Sequence, residues 1–440
     1  MNHNVYEIKQ KILSHTADVA ILGLGYVGLP IAVEVARQGF RVTGIDVDAS
    51  KVAMINKKLS YIPDVLGADL REVVKNKKFL ATEDTSVLSS CDVIIICVPT
   101  PLTKTREPDL SFVMNAVKHC ASHLRRGQLI TLESTTYPGA TAGEILNLLQ
   151  KNSDLQVGDD FFLAFSPERV DPGNVTYNTK NITKVVGGIT SQCTELASLF
   201  YKEIVDYTIM VSSPTAAEMT KVFENVYRSV NIALVNELMF ICDQMGLDVW
   251  EIIDAAGTKP FGIQTFYPGP GVGGHCIPID PHFLSWKAKE FGYSTRLIEI
   301  AAQINIEAVE YVVRKLERML GEKNQSLRGA KILLMGVAYK RDIGDCRESP
   351  AINIMSRIIS LGADVLYFDP YVPEVRLSSD LSVSCSTLTS RVLSSVDCVL
   401  ITTDHSCINY QWIVDQAQVV IDTRNVTKSL QKGQEKVILI

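Results

Sequence analysis

The chain has no pair of cysteines spaced C-x-x-C, although ten cysteines occur, at positions 91, 97, 120, 193, 242, 276, 346, 385, 398 and 407. Dithiol redox motifs and the common structural zinc frameworks are thereby excluded. The thiols are scattered through apolar runs such as Val93-Ile94-Ile95-Ile96-Cys97, the pattern of reduced, buried cytosolic cysteines. No apolar run reaches the ~18 residues that a membrane-spanning helix requires. The opening stretch MNHNVYEIKQKILS lacks an apolar core of signal-peptide length. A basic excess is also missing: 43 Lys and Arg stand against 49 Asp and Glu, a net charge of −6. That balance argues against a generic nucleic-acid binder. It leaves room for a small anionic ligand held by a few cations and backbone N–H groups. Short-period repeats and low-complexity tracts are absent. The expectation is a soluble, cytoplasmic protein with no nucleic-acid or membrane partner.

What is present is enough chain for two or three domains: 440 residues, 46% of them hydrophobic. Over the first half, short β-type runs alternate with helical stretches, the pattern of a parallel sheet flanked by helices. Strands are expected at 19–22, 41–46, 92–98, 128–133, 161–165, 184–186 and 207–211, with helices such as 30–38 and 110–124. After Pro214 the pattern changes. Residues 215–245 contain neither Pro nor Gly and read as one long helix, with Gly246 as its C-cap. Helical segments continue at 249–256 and between 281 and 320. A polar linker, 321–329, leads to a second α/β unit with strands at 331–336, 364–368, 398–402 and 419–422. The plan is α/β, then α, then α/β, with domains at 1–213, 214–320 and 330–440.

The first strand runs into Gly23-Leu24-Gly25-Tyr26-Val27-Gly28 and then a helix. This is G-x-G-x-x-G in its required strand–turn–helix setting. Gly23 allows the tight turn, Gly25 lets a pyrophosphate approach the backbone, and Gly28 lets the helix pack on the strand. Asp46 ends the next strand, where its carboxylate binds both ribose hydroxyls and repels a 2′-phosphate. The first domain therefore reads as Rossmann-like, with NAD favoured over NADP.

Segment 267–281, YPGPGVGGHCIPIDP, is the most unusual in the chain. Four glycines and two prolines in 268–274 rule out a helix and suit a backbone-lined loop around a ligand. Asp280 and Pro281 then open a helix as N-cap and N1, and Gly292 lies just past its end. Cys276 thus sits on a ligand-facing loop four residues before a helix start. A thiol there has a chemical use. Taking an alcohol past the aldehyde to an acid requires a tetrahedral adduct from which a second hydride leaves, and a thiolate supplies it. A metal site from His275, Cys276, Asp280 and His282 is the rival use; no Cys/His pair of familiar ligand spacing supports it. On the long helix, Lys221 and Asn225 are four apart and share one face, beside an apolar stripe of Met219, Val222, Val226 and Val230. The lysine suits an oxyanion and the asparagine a substrate oxygen or a water. By residue type alone both belong on a solvated helix surface.

Taken together, these segments resemble the UDP-glucose/GDP-mannose dehydrogenase family. The resemblance runs over nearly the whole chain, through Gly23–Pro30, Val98-Pro99-Thr100-Pro101, Glu133-Ser134-Thr135, Ser166-Pro167-Glu168, Lys221 with Asn225, Gly273-Gly274-His275-Cys276 with Asp280, and Gly336–Lys340 with Arg347-Glu348-Ser349. It implies an NAD-dependent enzyme that oxidises the C6 hydroxymethyl of a UDP-sugar to a carboxylate. Cys276 resembles the family's thiohemiacetal nucleophile and Asp280 the carboxylate beside it. Lys221 resembles the oxyanion-stabilising lysine, and Asn225 the substrate-positioning asparagine. Thr135 resembles the threonine that holds a water, and Glu168 a glutamate of proton transfer or thioester hydrolysis. Gly23, Gly25, Tyr26, Val27, Gly28, Asp46, Pro99, Thr100, Thr135 and Arg347 are implied at the cofactor. Glu168, Arg169, Lys221, Asn225, Tyr267, Gly271, Gly273 and Lys340 are implied at the substrate, and no metal is. The resemblance further implies a homodimer through the central helices and a UDP-binding, Rossmann-like C-terminal domain.

The chain departs from the family's UDP-glucose enzymes at two places. Pro172 stands where many carry a second glutamate, and His275 precedes the thiol where they usually have serine. These features, with Lys259–Gly262, Phe266–Gly271 and Cys276–Pro281, resemble the branch acting on N-acetylated UDP-hexosamines. UDP-N-acetylglucosamine is then the expected substrate, feeding O-antigen or capsule synthesis. UDP-N-acetylmannosamine, UDP-N-acetylgalactosamine and UDP-glucose are the alternatives, since epimers differ by one or two hydrogen bonds. A single-oxidation β-hydroxyacid dehydrogenase would need neither the thiol nor the third domain, and a non-catalytic NAD-binding regulator would not need the thiol.

Overall fold

The computed structural model describes residues 2–62, 64–151, 153–171, 173–174, 176–378 and 381–440. Pro172 lies outside the described residues. Packing divides the chain into two compact units, Met1–Glu224 with His282–Gly292, and Asn225–Pro281 with Tyr293–Ile440.

The first unit is built on an eight-stranded sheet: β1 (Asp18–Leu22), β2 (Arg41–Ile45), β3 (Phe79–Thr82), β4 (Val93–Ile96), β5 (Leu129–Leu132), β6 (Phe162–Phe165), β7 (Lys184–Gly188) and β8 (Thr208–Met210). Their order is β3-β2-β1-β4-β5-β6-β7-β8. β1 to β6 are parallel. β7 runs antiparallel to β6, and β8 runs with β7. The sequence explains the centre of the sheet. Strands covered on both faces read as unbroken apolar runs, and β4, β5 and β6 are VIII, LITL and FLAF, buried at every position. Helices Gly28–Arg37 and Ser191–Lys202 contribute Leu29, Ile31 and Val35, and Leu196 and Phe200, to the core. The expected strands all form, shorter by a residue or two at most ends. β3 was not expected. Its four residues follow a run of lysines, and Leu80 is half exposed on this edge strand.

Helix Pro214–Met245 runs 32 residues, as its freedom from internal Gly and Pro predicts, and Gly246 ends it at φ +69°. In the second unit, Val249–Gly257 and Arg296–Glu322 are the helices that follow. Asp280–Glu290 forms the helix expected after the glycine loop, and Gly292, at φ +71°, lies just beyond it. The second sheet holds β9 (Lys331–Met335), β10 (Asp364–Phe368), β13 (Cys398–Ile401), β14 (Val420–Asp422) and β15 (Val437–Leu439), in the order β10-β9-β13-β14-β15, all parallel. A small antiparallel pair, β11 (Glu374–Arg376) and β12 (Ser382–Ser384), branches from it. β11, β12 and β15 were not expected; each is only three residues long. Among the described residues, no helix is long and apolar enough to cross a membrane.

Candidate active site

The dinucleotide loop follows β1 as its spacing predicts. A Cβ on Gly23 would lie 2.5 Å from the Cys97 carbonyl oxygen, and one on Gly28 1.8 Å from the carbonyl oxygen of Gly23. Both glycines are therefore demanded by the chain itself. Gly25 differs: a Cβ there would meet nothing within 4 Å. The open side of the loop lies at the one glycine that ligand approach, not packing, requires. The helix beginning at Gly28 has no side-chain cap, although Leu29 N and Ile31 N already bond the Gly25 and Val27 carbonyls and Pro30 has no N–H, so it is the positive end of the helix dipole that suits an anion here. Asp46 accepts from Leu24 N at 2.8 Å with one oxygen and from Asp48 N at 2.9 Å with the other. Lys51 Nζ also lies 3.6 Å from Oδ2, and Oδ1 keeps a lone pair for a ribose hydroxyl. Tyr26 is exposed, Val27 half-buried, Pro99 exposed and Thr100 buried. These residues fit the adenosine and pyrophosphate of a dinucleotide.

Further along the same sheet edge, Glu133 follows β5, with half-buried Thr135 two residues on, and Glu168 follows β6. Lys184 opens β7, is 2% exposed, and donates from Nζ to Glu133 Oε2 at 2.5 Å and to Glu168 Oε2 at 3.1 Å. Glu168 Oε1 accepts from Arg169 N at 2.7 Å and Val170 N at 2.8 Å. Burial works to raise the Glu168 carboxyl, but Lys184 and the two N–H donors outweigh it and hold the carboxyl below the usual range. Burial prevails at Glu133, whose carboxyl is raised despite Lys184. The Arg169 guanidinium is already engaged, pairing with Glu224 at 2.6 Å and donating to Thr183 O at 2.7 Å.

Lys221 and Asn225 do not lie on a solvated face. Lys221 is 6% exposed and Asn225 is fully buried. The Lys221 ammonium has no hydrogen-bond or ion-pair partner among the described residues. One turn before it, fully buried Glu218 accepts from Thr136 Oγ1, Gly139 N, Thr141 N and Thr141 Oγ1 at 2.6–3.0 Å, tying the lysine's helix to the turn after Thr135.

In the second unit, Asn225 Nδ2 donates to Asp280 Oδ2, and its Oδ1 accepts from Arg228. The arginine therefore fixes which way the amide points. Asp280 N donates to Cys276 O at 2.8 Å, so the half-buried thiol residue sits one turn ahead of the carboxylate. Asn225, Cys276 and Asp280 are thus brought together. The loop glycines at 273 and 274 serve packing within this unit. A Cβ on Gly273 would lie 2.6 Å from Tyr339 Cβ, and one on Gly274 2.9 Å from the Tyr339 ring. Gly271 has φ +129°, and a Cβ there would lie 3.2 Å from Asn305 O and from Pro350 Cβ. Gly274 N donates to Arg347 O at 3.0 Å, and the Arg347 guanidinium chelates Asp345. Lys340 ends the loop Gly336–Lys340, whose Val337 and Ala338 N–H groups bond Asp369 Oδ2 at 2.8 and 3.1 Å. Tyr267 spends its hydroxyl on Asp254 at 2.8 Å and stacks on Trp250. No group of His, Cys, Asp and Glu fit to hold a metal occurs among the described residues.

Sequence reasoning missed Lys184, Glu218, Arg228 and Asp369. Arg228 alone carried a signal, standing three residues after Asn225 on one helix. The others act across elements 16 to 82 residues apart in sequence.

The chain matches the UDP-glucose/GDP-mannose dehydrogenase family in all three parts: the NAD binding domain over 17–205, the central domain over 215–307 and the UDP binding domain over 333–429. It is 37% identical over 355 residues to the UDP-N-acetyl-D-glucosamine 6-dehydrogenase of Pseudomonas aeruginosa, covering 80% of this chain and 83% of that protein. It is 35% identical over 421 residues to the NDP-N-acetyl-D-galactosaminuronic acid dehydrogenase of Ralstonia solanacearum, covering 93% and 96%. The solved structure of the UDP-D-ManNAc dehydrogenase of Pyrococcus horikoshii superposes with a TM-score of 0.87 at 34% identity, covering 96% of this chain and 98% of that one. These matches establish that the chain belongs to the UDP-glucose/GDP-mannose dehydrogenase family and is an NAD-dependent UDP-sugar dehydrogenase.

Proposed function

We propose that the chain oxidises C6 of a UDP-N-acetylhexosamine, with UDP-N-acetylglucosamine first, from hydroxymethyl to carboxylate, with Cys276 as covalent nucleophile. The relatives named above act on the gluco, galacto and manno forms, so the N-acetyl group is the shared feature and the epimer is the finer choice. The observation that carries the reading is the polar setting of one thiol. Cys276 precedes Asp280 by one turn, and Asp280 is held by Asn225, which is held by Arg228. Other cysteines sit differently. Burial pushes Cys91 up to about 11, and Cys120, Cys346 and Cys398 up to about 12, which leaves them as thiols.

The Gly23–Gly28 loop and Asp46 would hold NAD, which when bound supplies a hydride acceptor, one molecule for each of the two oxidations. The rest falls to side chains. Lys221 steadies the alkoxide oxygen as the alcohol becomes an aldehyde. The Cys276 thiolate then adds to the aldehyde carbon, forming a C–S bond and a thiohemiacetal oxygen that Lys221 and Asn225 hold. Loss of the second hydride leaves a thioester. Water opens it: a C–O bond forms, the C–S bond breaks with its electron pair on sulfur, and Glu168 takes a proton from the water. Thr135 holds that water, and Asp280 handles protons beside the thiol. Lys340 and the backbone of the loop holding Gly271 border the nucleotide-sugar, Arg169 and Tyr267 reach it only by giving up their present partners, and Gly273 serves by letting Tyr339 pack beneath that loop, with Pro99, Thr100 and Arg347 at the cofactor. The product fits a cytoplasmic supply of uronic acids to surface polysaccharide such as O-antigen or capsule. A homodimer is part of the same reading, supported by exposed Leu234, Ile241 and Met245 on one central helix and Leu297, Ile300 and Ile306 on another.

The test is NADH release across a panel of UDP-sugars. Wild type is expected to yield two NADH per UDP-N-acetylglucosamine. Cys276→Ser is expected to lose acid formation by about 10³-fold or more. One NADH per sugar, or acid from Cys276→Ser at the wild-type rate, overturns the mechanism.

A further inference from the structure

The buried cation at the edge of the first sheet has no part in the steps above. Lys184 begins β7, the strand that reverses direction. β6 and β7 pair Ala164 with Gly188 and Phe165 with Gly187. Continuing that register by three residues sets Lys184 opposite Glu168. Reversal is what brings the first residue of a strand to the edge where β5 and β6 end. There Lys184 meets Glu133 and Glu168 at 2.5 and 3.1 Å. Three side chains, 3%, 0% and 11% exposed, share one positive and two potential negative charges.

Two carboxylates cannot both remain ionised in so buried a place without the ammonium between them. The remaining partners fix which one keeps its charge. Glu168 has two backbone N–H donors on Oε1, and such donors favour the carboxylate form. Glu133 has the Tyr201 hydroxyl at 2.7 Å and no backbone donor among the described residues. The titratable groups facing the pair from the surrounding elements are Lys184, Tyr201 and Cys97. Burial raises both Tyr201 and Cys97 well above their ordinary values, so each stays neutral.

We propose that Lys184 is a positioning residue that keeps Glu168 an ionised proton acceptor for the water that opens the thioester, with Glu133 as the competing carboxylate that tempers it. The inference rests on the Glu168 role given under Proposed function. In this role Lys184 acts through Glu168 and not on the reacting carbon. It holds Glu168 Oε2 in place, leaves that oxygen a lone pair, and sets the pH at which it accepts. The proton moves from water to Glu168 and no electron transfer is involved.

The two partners of Lys184 give tests of opposite sign. The measured quantity is the acid limb of the pH profile for uronate release, with single-turnover NADH traces separating hydride steps from hydrolysis. Lys184→Met removes the cation, so the limb is expected to move up by about one pH unit or more, with hydrolysis about tenfold slower at neutral pH. Lys184→Arg is expected to restore it. Glu133→Gln removes the competitor, so the limb is expected to move down. A residue that merely stabilised the fold would lower the yield of protein without moving the limb in two directions. If Lys184→Met does not fold, Glu133→Gln decides alone: an unmoved or raised limb overturns the proposal. Glu168→Gln separates this inference from its parent. Wild-type uronate release in that variant removes Glu168 from hydrolysis and the proposal with it. Impaired release there, with unmoved limbs in the other variants, overturns the role of Lys184 alone.

Discussion

The two nucleotide-binding sheets use the same device to different ends. In each, a strand runs into a glycine at positive φ, Gly23 after β1 and Gly336 after β9, and an aspartate ends the neighbouring strand. In the first, Asp46 takes one N–H on each oxygen and keeps capacity for a ligand. In the second, Asp369 takes Val337 N and Ala338 N on one oxygen and Tyr371 N on the other, with the fully buried His405 ring 3.0 Å away. Asp342 N donates to His405 Nδ1, so the ring proton sits on Nε2 and is given to Asp369. One acid keeps acceptor capacity; the other is consumed by its own loop, which carries Lys340. A shared framework thus yields a dinucleotide site in one unit and a different nucleotide site in the other, by the number of internal donors that reach one carboxylate.

The comparison breaks most visibly under Asp369→Ala. Four donors lose their acceptor in a buried place, and the second unit is expected to lose about 3–5 kcal/mol in urea denaturation, with UDP affinity falling as the Lys340 loop loosens. An unchanged midpoint would mean that the loop stands without its acid. Asp46→Ala is expected to raise the NAD Kd about tenfold, or about 1.4 kcal/mol by titration calorimetry. Its cost in unliganded stability is expected to be smaller than that of Asp369→Ala. Equal stability losses would make the two acids equivalent. The mildest effect is that of pH. Burial works to raise the Asp369 carboxyl, yet His405 and the backbone donors hold it below the usual range. A depressed value contributes stability that is complete above about pH 4 and lost as pH falls through the folded value. The stability gap between wild type and Asp369→Asn is therefore expected to close in acid below about pH 4 and to stay level above it.

Much of this was legible in the residues. The apolar runs of β4, β5 and β6, the Gly23–Gly28 turn and the helix from Asp280 follow from patterns that local physics enforces. What escaped depends on partners remote in sequence. Lys221 reads as a surface lysine because helix spacing gives a face but not what covers it. The glycines at 273 and 274 read as room for a ligand, whereas Tyr339 fills the space beside them. Arg169, implied at the substrate by the resemblance, has its guanidinium engaged by Glu224 and Thr183, which no local pattern announces. β7 reads as a strand, but nothing in KVVGG states which way it runs.

That reversed strand has a wider consequence for how such a sheet is altered by mutation. In an all-parallel arrangement, this rim receives only the last residues of strands and the segments that follow them, and those segments drift as they lengthen or shorten. Here the ammonium is tethered to a ladder of main-chain bonds. Insertions elsewhere on the rim can reshape the neighbouring loops while that charge stays where it is.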